Sequence, residues 1–150
     1  MAALREGGWN IPETAVREGL EHVKWPARLE VMQREPLFLI DGGHNPQCAE
    51  ALSDSLRELL GEKKAVFLLG VLADKDYLQM MALLTPLARE FICLAPLSDR
   101  ALRAEELAAY LRRQGAKATA CADIPAGLQA AFDAAEIGRA SCRERVYVLV

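Results

Sequence analysis

The chain has 150 residues, of which 52% are hydrophobic and 26% charged, with a formal net charge of −3. That is the length and composition of one folded domain rather than of a disordered segment. Acids and bases are mixed along it, no basic patch carries interleaved aromatics, and no apolar run approaches ~18 residues, which argues against a nucleic-acid partner and against a membrane span.

The first 26 residues read as an arm. Gly7-Gly8 loosens the chain, Pro12 stands where a helix can start, and Pro26 closes the segment. Ile11, Val16, Leu20 and Val23 lie near helical spacing and predict a short amphipathic helix from about Pro12 to His22. "ARLEVMQREPLFLID" then reads as two strands. In the first, Leu29 and Val31 alternate with charged neighbours, and Pro36 separates it from the apolar run Leu37–Ile40.

From there strand and helix alternate. A helix is predicted over Gln47–Leu60, with Leu52, Leu56, Leu59 and Leu60 on one face and Gly61 as its stop. "AVFLLGV" is a buried strand, and a helix follows over about Tyr77–Arg89, whose last turn Pro86 should kink or split. "FICLAPL" is the next strand, "RAEELAAYLRRQG" a helix closed by Gly115, "KATACA" a weaker strand, "IPAGLQAAFDAAE" a helix and "VYVLV" a final strand. Apolar strands alternating with helices indicate an α/β, three-layer, Rossmann-like domain: a mostly parallel sheet with helices on both faces. Ligands of such a sheet lie beyond the carboxyl ends of its strands.

Three loops fall there. In Asp41-Gly42-Gly43-His44-Asn45-Pro46 a plain strand-to-helix turn accounts for the glycines, for Asn45 as cap and for Pro46 at the first helical position. It leaves Asp41 and His44 unexplained. An acid at the end of a buried strand can hold a ribose hydroxyl, and the adjoining helix start favours phosphate. In "GVLADKDYL", Asp74 or Asp76 can cap the next helix, while Lys75 is either a solvated charge or a partner for phosphate or carboxylate. "APLSDRALRAEEL" offers Ser98, Asp99 and Arg100; Ser98 has no G-x-S-x-G setting and reads as lining or structure. Cys48, Cys93, Cys121 and Cys142 form no C-x-x-C pair, and with two histidines in the chain a structural zinc site has little to draw on. No metal ligands are assigned. Scattered thiols and the absence of a signal-peptide core in "MAALREGGWNIPE" point to the cytoplasm.

"WPARLEV", "PLFLIDGGHNPQCAEAL", "LLGVLADKDY" and "CLAPLSDRALRAEEL", in that order and spacing, closely resemble the C-terminal domain of folylpolyglutamate synthase/dihydrofolate synthase, within the Mur ligase superfamily. The resemblance runs from about Ile11 to about Glu136. It implies an ATP- and Mg²⁺-dependent ligase that phosphorylates a folate or dihydropteroate carboxylate and then joins L-glutamate to it through the acyl phosphate. It also implies that Arg28 reaches the ATP phosphates from an interdomain linker, that Asp41 and His44 act at the nucleotide and the reacting groups with Asn45 beside them, and that Lys75, Asp74, Asp76 and Ser98 line the glutamate side.

Two positions depart from the family pattern. Ala27 replaces the glycine of W-P-G-R and would shift Arg28 if positive φ is required there. Gly43 replaces the alanine of D-G-A-H-N-P, which is expected only to add flexibility. A G-x-x-G-K-[ST] loop is absent from these 150 residues. The expected organisation is therefore an arm and linker over 1–26, the α/β domain over 27–136, and a non-native or truncated tail over 137–150, where "EIGRASCRERV" looks like translated adapter sequence. The chain is expected to be a monomeric part of a larger enzyme whose P-loop domain, supplied in cis, holds most of the ATP and Mg²⁺ contacts, and to be inactive alone. Two alternatives stay open: another Mur-superfamily amide ligase, and a nucleotide-binding or interaction module without chemistry.

Overall fold

The computed structural model describes residues 2–34, 37–136 and 146–149. Two helices lead, α1 (Ala2–Glu6) and α2 (Glu13–His22), followed by the strands β1 (Glu30–Arg34) and β2 (Leu37–Ile40). Then come α3 (Pro46–Leu60), β3 (Ala65–Leu69), α4 (Tyr77–Leu84), β4 (Ala88–Cys93), α5 (Ala104–Arg113), β5 (Ala118–Ala120), α6 (Ile124–Glu136) and β6 (Val146–Leu149). One six-stranded sheet has the order β1-β2-β6-β3-β4-β5, parallel except for β1, which pairs antiparallel with β2 at the edge.

Burial along each strand follows its place in that order. All five residues of β3 are buried, as a strand covered on both faces requires. Phe67 and Leu69 join one core with Leu52, Leu56 and Leu60 of α3, Met80 and Leu84 of α4, and Leu107 and Leu111 of α5. The alternate residues Val66 and Leu68 join Ile92 and Leu94 under Ala131 and Ala134 of α6. The chain runs outward from β3 to β5 and returns to β6, between β2 and β3. Crossovers of one hand therefore put α3, α4 and α5 on one face and α6 on the other. Every residue of β1 is exposed; its charges and a bulge between Val31 and Gln33 discourage pairing at this edge.

Several element boundaries differ from expectation. The helix expected to reach Arg89 ends at Leu84, and Thr85–Leu87 form a single 3-10 turn. Pro86 has no N–H to continue the helical ladder, and the Thr85 hydroxyl already donates to the Met81 carbonyl at 2.7 Å. β4 then starts at Ala88 and ends at Cys93, so Leu94–Leu97 belong to the loop beyond it. Its charged start hides a strand because Glu90, 6% exposed, is buried with its charge matched by Lys117 at 2.6 Å. Leu59, expected on the core face of α3, is 51% exposed. Helix α1 has no counterpart in the expectation. In α2, found close to where it was expected, no residue is buried. Val146–Leu149 form the expected last strand; Pro36 and residues 137–145 and 150 lie outside the described residues, so the expected separator and most of the expected tail do too. Among the described residues, no helix is long and apolar enough to cross a membrane.

Candidate functional site

β2 delivers Asp41 to the carboxyl edge of the sheet, and residues 27–29, just ahead of β1, are laid against the turn that follows. The Gly42 N–H donates to the Ala27 carbonyl at 2.7 Å. The Leu29 N–H donates to Asp41 Oδ2 at 2.9 Å, and the Gly43 N–H to Asp41 Oδ1 at 2.8 Å. Both carboxylate oxygens thus bind backbone, and each keeps a lone pair for a further donor. Ala27 and Leu29, on either side of Arg28, have φ of +55° and +46°. Position 27 does require the left-handed conformation, and alanine adopts it here in place of the family's glycine. The Ala27 N–H donates to Glu30 Oε2 at 2.8 Å.

Arg28, Leu29 and Asp41 face Cys48, Ala51 and Ser55 of α3 across a pocket of about 240 Å³. The structure therefore brings Arg28 and Asp41 together. The Arg28 guanidinium has no ion pair among the described residues. His44 is exposed at the next bend, with Nδ1 3.2 Å from the Gly42 carbonyl. A carbonyl can only accept, so in this contact Nδ1 donates, and in the neutral ring Nε2 is then an acceptor. Asn45 is the helix cap: its Oδ1 accepts from the Cys48 N–H at 2.8 Å, which leaves its amide N–H groups available. Gly43 does more than add flexibility. A Cβ there would sit 2.7 Å from Asp41 Oδ1 and 3.0 Å from the Cys48 Cβ, so glycine is what lets Asp41 fold back onto its own loop.

The second and third loops are joined to each other. Leu72 and Ala101 form an antiparallel bridge, the Ala73 N–H donates to the Arg100 carbonyl at 2.8 Å, and Arg100 Nη1 contacts Asp74 Oδ2 at 2.7 Å. Asp74 is thus paired. Asp76 caps α4, its Oδ1 accepting from the Gln79 N–H at 3.1 Å. Ser98 Oγ accepts from the Arg100 N–H at 3.2 Å within its own turn, the structural half of the expectation. The Lys75 ammonium has no ion pair among the described residues. Glu30 is the contributor that sequence reasoning passed over, and Arg100, offered by the third loop, had no partner assigned. A pairing across 26 positions leaves no local signal, and a glutamate starting an edge strand resembles any solvated charge. A larger pocket, about 470 Å³, lies between Gly70, Leu94–Leu97 and Ala122–Pro125; it contains none of the expected site residues. Among the described residues, no group of three or more His, Cys, Asp or Glu is placed to hold a metal ion.

Residues 27–142 match the family model described as "Mur ligase, glutamate ligase domain". The dihydrofolate synthase/folylpolyglutamate synthase of Escherichia coli is 32% identical over 112 residues, which is 74% of this chain and 26% of that protein. The folylpolyglutamate synthase of Lacticaseibacillus casei is 42% identical over 77 residues, 51% of this chain and 18% of the relative. Among solved structures, the Mycobacterium tuberculosis folylpolyglutamate synthase complexed with ADP superposes with a TM-score of 0.84 at 30% identity, over 95% of this chain and 33% of that one. The Yersinia pestis bifunctional folylpolyglutamate synthase/dihydrofolate synthase complexed with AMPPNP and Mn ion gives 0.79 at 26% identity, over 99% and 34%. The chain thus spans about a quarter of the E. coli relative and a third of the solved ones.

Proposed function

The chain belongs to the Mur ligase family, as its glutamate ligase domain, and on that premise we propose that it forms one wall of the cleft of an ATP-dependent folylpolyglutamate/dihydrofolate synthase. The observation that carries this reading is Arg28, held beside Asp41 in a pocket at the carboxyl edge of the sheet and without an ion pair among the described residues. Relatives of this fold were solved with ADP and with AMPPNP.

In this reading the substrate carboxylate attacks the γ-phosphorus of ATP and ADP leaves. The amino group of glutamate then attacks the acyl carbon, phosphate departs and an amide forms. The chain's part is positioning and charge neutralisation. The Arg28 fork meets phosphate oxygens. Asp41 fixes the linker and offers its remaining lone pairs to a ribose hydroxyl, with the Asn45 amide beside it. His44 Nε2 accepts a hydrogen bond near the reacting groups. Lys75 neutralises a glutamate carboxylate, flanked by Asp76, Ser98 and the Arg100-bound Asp74. Mg²⁺ supplies charge neutralisation on the phosphates, and we assign its ligands, with most of the ATP contacts, to a P-loop domain in cis. Trp9, Leu20, Val23 and Trp25, each between 58% and 70% exposed, form an apolar arm on which that domain has a surface to seat. The scattered free thiols favour a cytoplasmic enzyme.

Glutamate-dependent ADP formation from ATP and folate tests this. The 150-residue chain alone is expected to give none, and the same chain fused behind a P-loop domain of its relatives to give turnover. Turnover by the chain alone, or none by a folded fusion that binds ATP and folate, would refute it.

A further inference from the structure

We propose that Glu30 is a positioning residue that aims Arg28, an inference that rests on the nucleotide role given to Arg28 above. Residues with a Cβ rarely occupy positive φ, and here two of them flank one functional arginine. Such a segment keeps its shape only while its surroundings hold it. Two of the bonds holding it come from the Asp41–Gly43 turn: Asp41 accepts from Leu29, and Gly42 donates to Ala27. The third lies within the segment, where Glu30 Oε2 accepts from the Ala27 N–H at 2.8 Å and closes a tight loop around Arg28. An ionised acceptor makes this a charge-assisted bond.

The bond has a second consequence. Glu30 lies two residues from Arg28 and is the nearest carboxylate in sequence, and its charge is drawn to the backbone instead of to the guanidinium. Arg28 has no ion pair among the described residues. Its charge therefore stays available for phosphate. Glu30 itself is exposed on the edge strand β1 and packs no core, so its effect runs through the segment it closes.

The test is steady-state kinetics of the full-length enzyme with ATP as the varied substrate. Glu30→Ala is expected to raise the KM for ATP about three- to tenfold with kcat nearly unchanged, the scale of one hydrogen bond. Glu30→Gln, which keeps an acceptor oxygen, should retain most of the wild-type KM. Adding Ala27→Gly should restore it, because glycine takes positive φ unaided. In an Arg28→Ala background, Glu30→Ala should change nothing further, since both act through one group. An unchanged KM in Glu30→Ala, an equal extra loss on top of Arg28→Ala, or no rescue by Ala27→Gly would each overturn the proposal while leaving the role of Arg28 intact. If Arg28→Ala itself leaves the KM for ATP unchanged, the nucleotide reading falls and this proposal with it. Amide exchange in the 150-residue chain gives a readout independent of catalysis: the Ala27 N–H should exchange faster in Glu30→Ala, and an unchanged rate would also overturn the proposal.

Discussion

At Ala27 the backbone sits at φ +55°, a conformation that costs an L-residue ~1–2 kcal/mol and glycine almost nothing, whereas glycine's freer unfolded chain takes back ~0.5–1 kcal/mol. Ala27→Gly is therefore expected to stabilise the domain by about 0.5 kcal/mol, read as a higher urea midpoint. Leu29, at φ +46°, should not tolerate the same change, because its side chain packs against the core. Local chemistry marked an acid ending a buried strand and an asparagine before a proline, whereas Arg28 was named only through the family resemblance. What those residues touch was not legible in the sequence. That Asp41 Oδ2 binds the Leu29 N–H depends on where residues 27–29 return, and Asp74 meets Arg100 only because two loops zip together. Cys93 offers a pH test. Burial, opposed in part by Arg112 and reinforced by Cys121, pushes its thiol from 9.0 up to about 12. Below pH 9 both states keep the proton and this stabilisation is fully present. Between 9 and about 12 only the unfolded chain loses the proton, so stability falls as pH rises. The urea midpoint of the wild type should drop more steeply above pH 9 than that of Cys93→Ala, and parallel slopes would contradict this.

Helix ends and strand starts separate what periodicity carries from what it does not. α6 was legible to the residue, and α3 to within one, since both have a stop or a start written in glycine, proline or asparagine. The Tyr77–Leu84 helix was overextended because Leu83, Leu84 and Leu87 keep helical spacing across Pro86, although the chain there must already turn into β4. Packing also gives two helical glycines opposite meanings. A Cβ at Gly127 of α6 would lie 2.9 Å from Leu68 Cδ1 and 3.0 Å from Leu94 Cδ2, so the helix sits on the sheet as closely as it does because that atom is missing. Gly127→Ala should destabilise the domain by a net of about 1 kcal/mol, overpacking outweighing the gain in helix propensity, as measured by urea unfolding. Gly19 of α2 meets nothing within 4 Å, and the same change there carries the propensity gain alone.

For the molecule as a whole, the alternation of apolar strands and helices made the layered fold legible, and the strand order was not. "VYVLV" reads as a strand from its composition, but its place between β2 and β3 follows from the return crossover through α6. That placement matters for the site, because it sets the spacing between the Asp41 turn and the loops after β3 and β4. The two groups of expected residues accordingly fall in two clusters, one tied to residues 27–29 and one formed where the second and third loops join. The exposed apolar residues of the arm and Arg28, which has no ion pair among the described residues, both fit one wall of a shared cleft. The most direct measurement is glutamate-dependent ADP formation by the full-length enzyme carrying Asp41→Ala or His44→Ala. The account predicts at least a tenfold loss of kcat/KM for ATP in each, with the folded domain retained; wild-type turnover in both variants would contradict it.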